Sequence, residues 1–160
     1  MKNALILLAG GVGKRVGAKD PKQFLKIGNT NLIEYFLSNL DSKIFDIIII
    51  AIRNKDKKKY FKSIKNKFNK HNIKFATAGK TRQISSKNSL QFLKKYNPKN
   101  VLIHDSARPL VSNFLIKKII KGLIKSPSCI PFVSYNDLIK TKIKINLKNN
   151  VVMNIQTPQG

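Results

Sequence analysis

Cysteine occurs once in these 160 residues, at Cys129. That single thiol excludes a disulfide framework and a zinc site built from cysteines. No run of ~18 uncharged apolar residues exists, so the sequence holds no membrane-spanning helix. Acid is scarce: seven Asp and Glu face 32 Lys and Arg, for a net charge of +25. Arginine is rarer still, limited to Arg15, Arg53, Arg82 and Arg108. The basic excess is therefore almost all lysine, spread evenly along the chain. A surface so positive attracts nucleic acid, anionic lipid or phosphorylated small molecules. No RNA- or DNA-binding motif accompanies it, so specific nucleic-acid binding is not expected. The arginines say more, because three of the four lie in glycine-rich or acidic loop motifs. A planar guanidinium fork grips an oxyanion in a way that a lysine point charge does not.

The apolar share of 42% is enough for a sizeable core, and residues 1–160 fit one domain. Met1 to Arg15 couples a lysine to an apolar run, yet it ends in a basic glycine-rich loop without a small-residue cleavage site. It reads as a buried strand rather than a signal peptide, and a cytoplasmic protein is expected. Ala4–Leu8 is an apolar run suited to a strand buried on both faces, and Asp46–Ile52 is another continuous apolar strand. Ile73–Thr77 reads as a third strand and Val101–Ile103 as a fourth. Ser128–Val133 is expected to add a fifth. Between them lie helical patterns. Asn31 caps a stripe of Ile33, Phe36, Leu37 and Leu40. Tyr60, Phe61, Ile64 and Phe68 share one side of a lysine-coated segment, Asp56 to Lys70. Thr81–Tyr96 is expected to turn Leu90 and Leu93 inward, and Leu115, Ile116, Ile119, Ile120 and Leu123 form a strong amphipathic face. Strands alternating with helices predict an α/β fold: a Rossmann-like, mostly parallel sheet with helices on both faces. After Asp137 the pattern alternates around Asn-Lys-Asn-Asn, which predicts a protruding β-hairpin arm at about 138–151.

In such a sheet, ligands bind beyond the carboxyl ends of the strands. The first strand ends in Ala9-Gly10-Gly11-Val12-Gly13-Lys14-Arg15, followed by Asp20-Pro21-Lys22-Gln23-Phe24. Glycines let backbone N–H groups approach phosphate oxygens, and the cations neutralise them. The spacing is neither the G-x-x-x-x-G-K-[ST] phosphate loop nor a dinucleotide fingerprint. The third strand runs into Ala78-Gly79-Lys80-Thr81-Arg82-Gln83-Ile84-Ser85, which places Thr81, Arg82 and Ser85 at the start of a helix. A phosphate or a base edge can be held there; a capped helix with a surface arginine has the same pattern. The fourth ends in His104-Asp105-Ser106-Ala107-Arg108-Pro109. Asp105 is suited to a ribose hydroxyl or Mg²⁺, and His104 reads as structural, with no serine or cysteine elbow beside it.

Taken together, A-G-G-x-G-x-R with P-K-Q-F, then G-x-T-R-Q-x-S, H-D-x-A-R-P and Q-T-P-Q resemble the 2-C-methyl-D-erythritol 4-phosphate cytidylyltransferase family, a branch of the nucleotidyltransferase fold. The ribitol 5-phosphate cytidylyltransferases share much of the pattern. The resemblance implies transfer of a cytidylyl group from CTP to a polyol phosphate, with methylerythritol 4-phosphate preferred as acceptor. It implies backbone contacts to the nucleotide from Ala9, Gly10 and Gly11, and catalytic roles for Arg15 and Lys22 on the triphosphate. It implies base contacts from Gly79 and Ser85 with Lys80 beside them, and Asp105 and Ala107 along the ribose and acceptor. Mg²⁺ would sit mainly on the triphosphate with Asp105 nearby, and the arm would join two chains in a homodimer.

The pattern also departs from the family. Ala78 stands where glycine is usual, Leu138 where threonine follows Asp137, and Asn149 where an arginine positions the acceptor phosphate, with Lys148 adjacent. The sequence stops just past Q-T-P-Q, where the family continues with a further strand and helix, so a C-terminal truncation is expected. These departures motivate one alternative, a catalytically dead nucleotide-binding remnant. The charge of +25 motivates another, a nonspecific nucleic-acid binder.

Overall fold

Four of the expected strands form one parallel sheet, in a computed structural model that describes residues 2–12 and 20–131. The strands are β1 (Asn3–Ala9), β4 (Ile47–Ile52), β5 (Ile73–Thr77) and β6 (Asn100–Asp105); the two short strands β2 (Lys26–Ile27) and β3 (Thr30–Asn31) form a small antiparallel hairpin. Their order across the large sheet is β5-β4-β1-β6. Leu5 lies beside Ile48 and Leu102, and Ile50 beside Leu7 and Phe75. Chain order runs outward from β1 to β5 and then returns to the other side of β1 for β6. In sheets with such a reversal, the usual ligand position is at the carboxyl ends of the strands beside it, here β1 and β6.

Because side chains alternate along a strand, the two faces of the sheet build two cores. Leu5, Leu7 and Ala9 with Ile48, Ile50 and Ile52 face Ile33, Phe36 and Leu37 of α1 (Leu32–Asn39), Ile64 of α2 (Asn54–Lys67) and Ile116 of α4 (Asn113–Gly122). Ala4, Ile6, Ile47 and Ile49 face Leu93 of α3 (Arg82–Leu93). Each fully buried Leu or Ile contributes about 1.5–3 kcal/mol relative to exposure. Helices α1, α3 and α4 begin at side-chain caps: Asn31 accepts from the Glu34 N–H at 3.0 Å, Thr81 from Ile84 at 3.2 Å and Ser112 from Leu115 at 3.2 Å. No described helix is long and apolar enough to cross a membrane.

Helix α3 departs from the hydrophobic pattern. Leu93 is buried as expected, but Leu90 is 41% exposed. Its inner positions are instead Ser85 and Ser89, both buried. Their hydroxyls donate back to the carbonyls of Thr81 and Ser85, at 2.8 Å each, so no polar atom is stranded. Small side chains let a helix lie close to a sheet, and these two serines face inward where Leu90 does not. A second expectation fails in part. Ser128–Pro131 forms no ladder, and Pro127 and Pro131 have no N–H to give to one. The rest of that predicted strand, the arm at 138–151 and Q-T-P-Q lie outside the described residues.

Candidate active site

The first loop leaves β1 as Ala9-Gly10-Gly11 and is held from below by a side chain. Gln23 is 3% exposed, and its amide donates to the Ala9 carbonyl at 2.6 Å and to the Gly11 carbonyl at 3.1 Å. Gln23 sits in a single 3-10 turn, Lys22–Phe24, with Lys22 exposed beside it. The turn is fixed on α2. Phe24 stacks on Tyr60 with centroids 3.9 Å apart and planes 3° from parallel, and Lys59 reaches Asp20 at 2.8 Å. That lysine, by hydrogen bond and charge, holds the Asp20 carboxyl below its usual range. Arg15 lies outside the described residues.

The second loop, Ala78 to Thr81, presses against the first. A Cβ on Gly10 would stand 2.5 Å from the Ala78 Cβ and 3.6 Å from the Ser85 Oγ. Only a residue without a side chain fits between these two turns. Gly79 is equally constrained, since a Cβ there would overlap Ile84. Ser85 Oγ accepts from the Gly79 N–H at 3.0 Å and donates to the Thr81 carbonyl. One hydroxyl has one proton and two lone pairs, so Ser85 retains acceptor capacity only. Lys80, Thr81 and Arg82 are exposed around it.

The third loop follows β6 and is stitched to β1: Ser106 donates its N–H and its hydroxyl to the Leu8 carbonyl, at 3.2 and 2.8 Å. Asp105 faces two guanidinium groups, with Arg82 Nε at 3.1 Å and Arg108 Nε at 3.9 Å. The Arg82 contact ties the second loop to the third. Ala107 lies half-buried just beyond. His104 stacks on Phe36 at 5.2 Å and donates from Nε2 to the Arg108 carbonyl at 2.8 Å. Burial pushes its pKa below the ordinary histidine value, opposed in part by that hydrogen bond. Stacked on α1 and bonded to the Arg108 carbonyl, the imidazole braces the loop. Arg53, the fourth arginine, pairs with Asp56 at 2.5 Å at the start of α2 and serves the fold.

Sequence-predicted residues from three separated motifs thus meet at one end of the sheet: Gly10 with Ser85, Arg82 with Asp105, and Lys22 through its neighbour Gln23 with Ala9 and Gly11. The motifs themselves flagged Gln23, but nothing in the pattern assigned it a role; a buried amide clamp has no period or spacing of its own. Among the described residues no three His, Cys, Asp or Glu side chains converge as metal ligands. Asp105 alone fits a Mg²⁺ ion only as a single carboxylate beside substrate phosphates, which is how Mg²⁺ is commonly held.

Comparison with known proteins identifies the family and the fold. The family model of 2-C-methyl-D-erythritol 4-phosphate cytidylyltransferase matches residues 3–160. The bifunctional enzyme IspD/IspF of Pelagibacter ubique is 36% identical over 166 residues, covering 100% of this chain and 43% of that protein. A 2-C-methyl-D-erythritol 4-phosphate cytidylyltransferase of Clostridium tetani is also 36% identical, over 99% of this chain and 66% of its own length. Among solved structures, the bifunctional IspDF from Campylobacter jejuni superposes with a TM-score of 0.61 at 32% identity, over 78% of this chain and 31% of that one. The chain therefore spans 43% to 66% of the length of these two curated relatives. A match that runs through all three loops and the sheet that carries them has one meaning: the chain belongs to the 2-C-methyl-D-erythritol 4-phosphate cytidylyltransferase family.

Proposed function

We propose that this protein binds CTP across the carboxyl ends of β1, β5 and β6 and transfers its cytidylyl group to 2-C-methyl-D-erythritol 4-phosphate. The observation that carries the reading is the contact of the two glycine-rich loops, where Gly10 lies against Ala78 and Ser85. It joins a backbone N–H cradle suited to phosphates to a helix start suited to a base edge. Ala9, Gly10 and Gly11 hold the nucleotide through their backbone. Gly79, Lys80 and Ser85 surround the cytosine. Because the Ser85 proton is spent on Thr81, Ser85 reads a donor, the exocyclic amine that cytosine has and uracil lacks. Asp105 and Ala107 line the ribose and acceptor.

The acceptor's phosphate is already anionic and attacks the α-phosphorus in line, without a strong general base. A new P–O bond forms as the bond to the β-phosphate breaks, and pyrophosphate leaves. Arg15 and Lys22 stabilise the charge that develops on the transferring and departing groups, so positioning and electrostatics supply the catalysis. Mg²⁺, held by the triphosphate with Asp105 contributing one carboxylate, would supply further charge neutralisation. Two chains pair through the 138–151 arm in this reading; sedimentation of the protein with and without Thr141–Asn150 tests that pairing, and a monomer in both cases removes it.

The central test is pyrophosphate release from CTP with methylerythritol 4-phosphate and, separately, ribitol 5-phosphate. Turnover with the first and little with the second is expected. CTP binding without turnover on either acceptor would overturn the catalytic reading and leave a nucleotide-binding protein.

A further inference from the structure

We propose that Gln23 is a positioning residue that orients the first glycine loop toward the triphosphate and registers Lys22 against it, an assignment that rests on the CTP reading above. The two hydrogens of a glutamine amide are its only donors, and here the amide nitrogen serves two carbonyls of one loop, Ala9 at 2.6 Å and Gly11 at 3.1 Å. In a trans peptide the C=O and the following N–H point in opposite directions. With the Ala9 and Gly11 carbonyls turned to Gln23, the N–H groups of Gly10 and Val12 turn away from it. No backbone carbonyl among the described residues accepts from either N–H. The clamp therefore presents two donors on the face opposite Gln23, the arrangement that binds a phosphate oxygen.

The same residue fixes the cation. Lys22 precedes Gln23 directly, so their Cα atoms are only ~3.8 Å apart. The turn that carries both is closed by the Phe24 N–H to the Pro21 carbonyl at 2.8 Å and anchored by the Phe24–Tyr60 stack. A shift of Gln23 moves the loop and the lysine together. Support of this kind decides whether catalytic groups are held within the fraction of an ångström that chemistry requires.

Calorimetric titration of the full chain with CTP and with cytidine tests the role. Gln23→Met keeps the length of the side chain and removes both donors. It should weaken CTP at least tenfold while cytidine, which has no phosphate to hold, stays within twofold. Gln23→Asn keeps the amide but shortens its reach, and should weaken CTP by about threefold or more; it decides the matter if Gln23→Met does not fold. Equal loss of CTP and cytidine would reduce Gln23 to a structural residue, and unchanged CTP affinity in the folded variants would remove the role altogether. A wild-type chain that binds no CTP would instead take down the nucleotide reading, and the clamp's purpose with it.

Discussion

Replacing Gly10 with alanine puts a methyl group where another already stands. The new Cβ would be 2.5 Å from the Ala78 Cβ, about 1 Å short of the ~3.5 Å at which two carbons rest. Neither side yields easily. Ala78 is tied to the sheet by its N–H to the Ile52 carbonyl at 2.9 Å, and Gly10 sits between two carbonyls clamped by Gln23. Both clashing atoms are also first side-chain carbons, which no rotamer change can move. Overpacking of this kind costs about 1–3 kcal/mol, which for a chain of this size lowers the melting temperature by roughly 2–12 °C. The cause can be isolated, because Ala78→Gly removes the other methyl. Thermal unfolding of the wild type, both single variants and the double variant forms a double-mutant cycle. The double variant should melt well above Gly10→Ala alone, and CTP binding should recover in parallel. If Gly10→Ala melts with the wild type, or if Ala78→Gly gives no rescue, the two loops do not touch as described.

Lys22→Ala and Arg15→Ala should lower kcat far more than they raise KM for CTP, by the ~2.7–4 kcal/mol typical of one lost oxyanion-site donor; a raised KM at unchanged kcat would show ground-state binding only. Ser85→Ala should narrow the preference for CTP over UTP roughly fivefold, for one hydrogen bond of about 1 kcal/mol, and equal use of both nucleotides by the wild type would refute its role as reader. The half-buried His104 titrates below its unfolded value, because partial burial disfavours its charged form. The unfolded chain therefore binds more protons between the two pKa values. Stability should fall as pH drops below about 6.5 and flatten above it, and His104→Gln should weaken that dependence in urea melts at pH 5.5 and 7.5; an identical pH profile would exclude it.

The central strands were legible because burial on both faces leaves one unbroken signature: Ile47 to Ile52 has no polar residue, and its side chains are all buried. The loops were legible because glycine, arginine and acid are informative against a background of lysine. Helix α3 was only half legible. Hydrophobic periodicity picks out Leu90, whereas the fold selects for smallness at Ser85 and Ser89, a property that periodicity does not register. Gln23 was hidden for a related reason, since a buried polar side chain looks like a surface one until its partners in the Gly loop are in place. The β2–β3 hairpin rests on two residue pairs and on Gly28 at a φ of 61°, too short for any alternation to build up.

The serine face of α3 has a consequence beyond packing. Ser89 is 0% exposed, one turn along the helix from Ser85 and on the same side. It acts as a shim: its thickness sets how far the whole rigid helix stands off the sheet, and so how far Thr81 and Ser85 stand from Gly10. A valine or leucine at 89 would lift the helix like a wedge and widen the cleft without altering any group that lines it. The gauge of the site proposed for the base is then written at a residue outside that site. Tolerance for a larger base would be gained or lost by exchanging side chains of one or two carbons there.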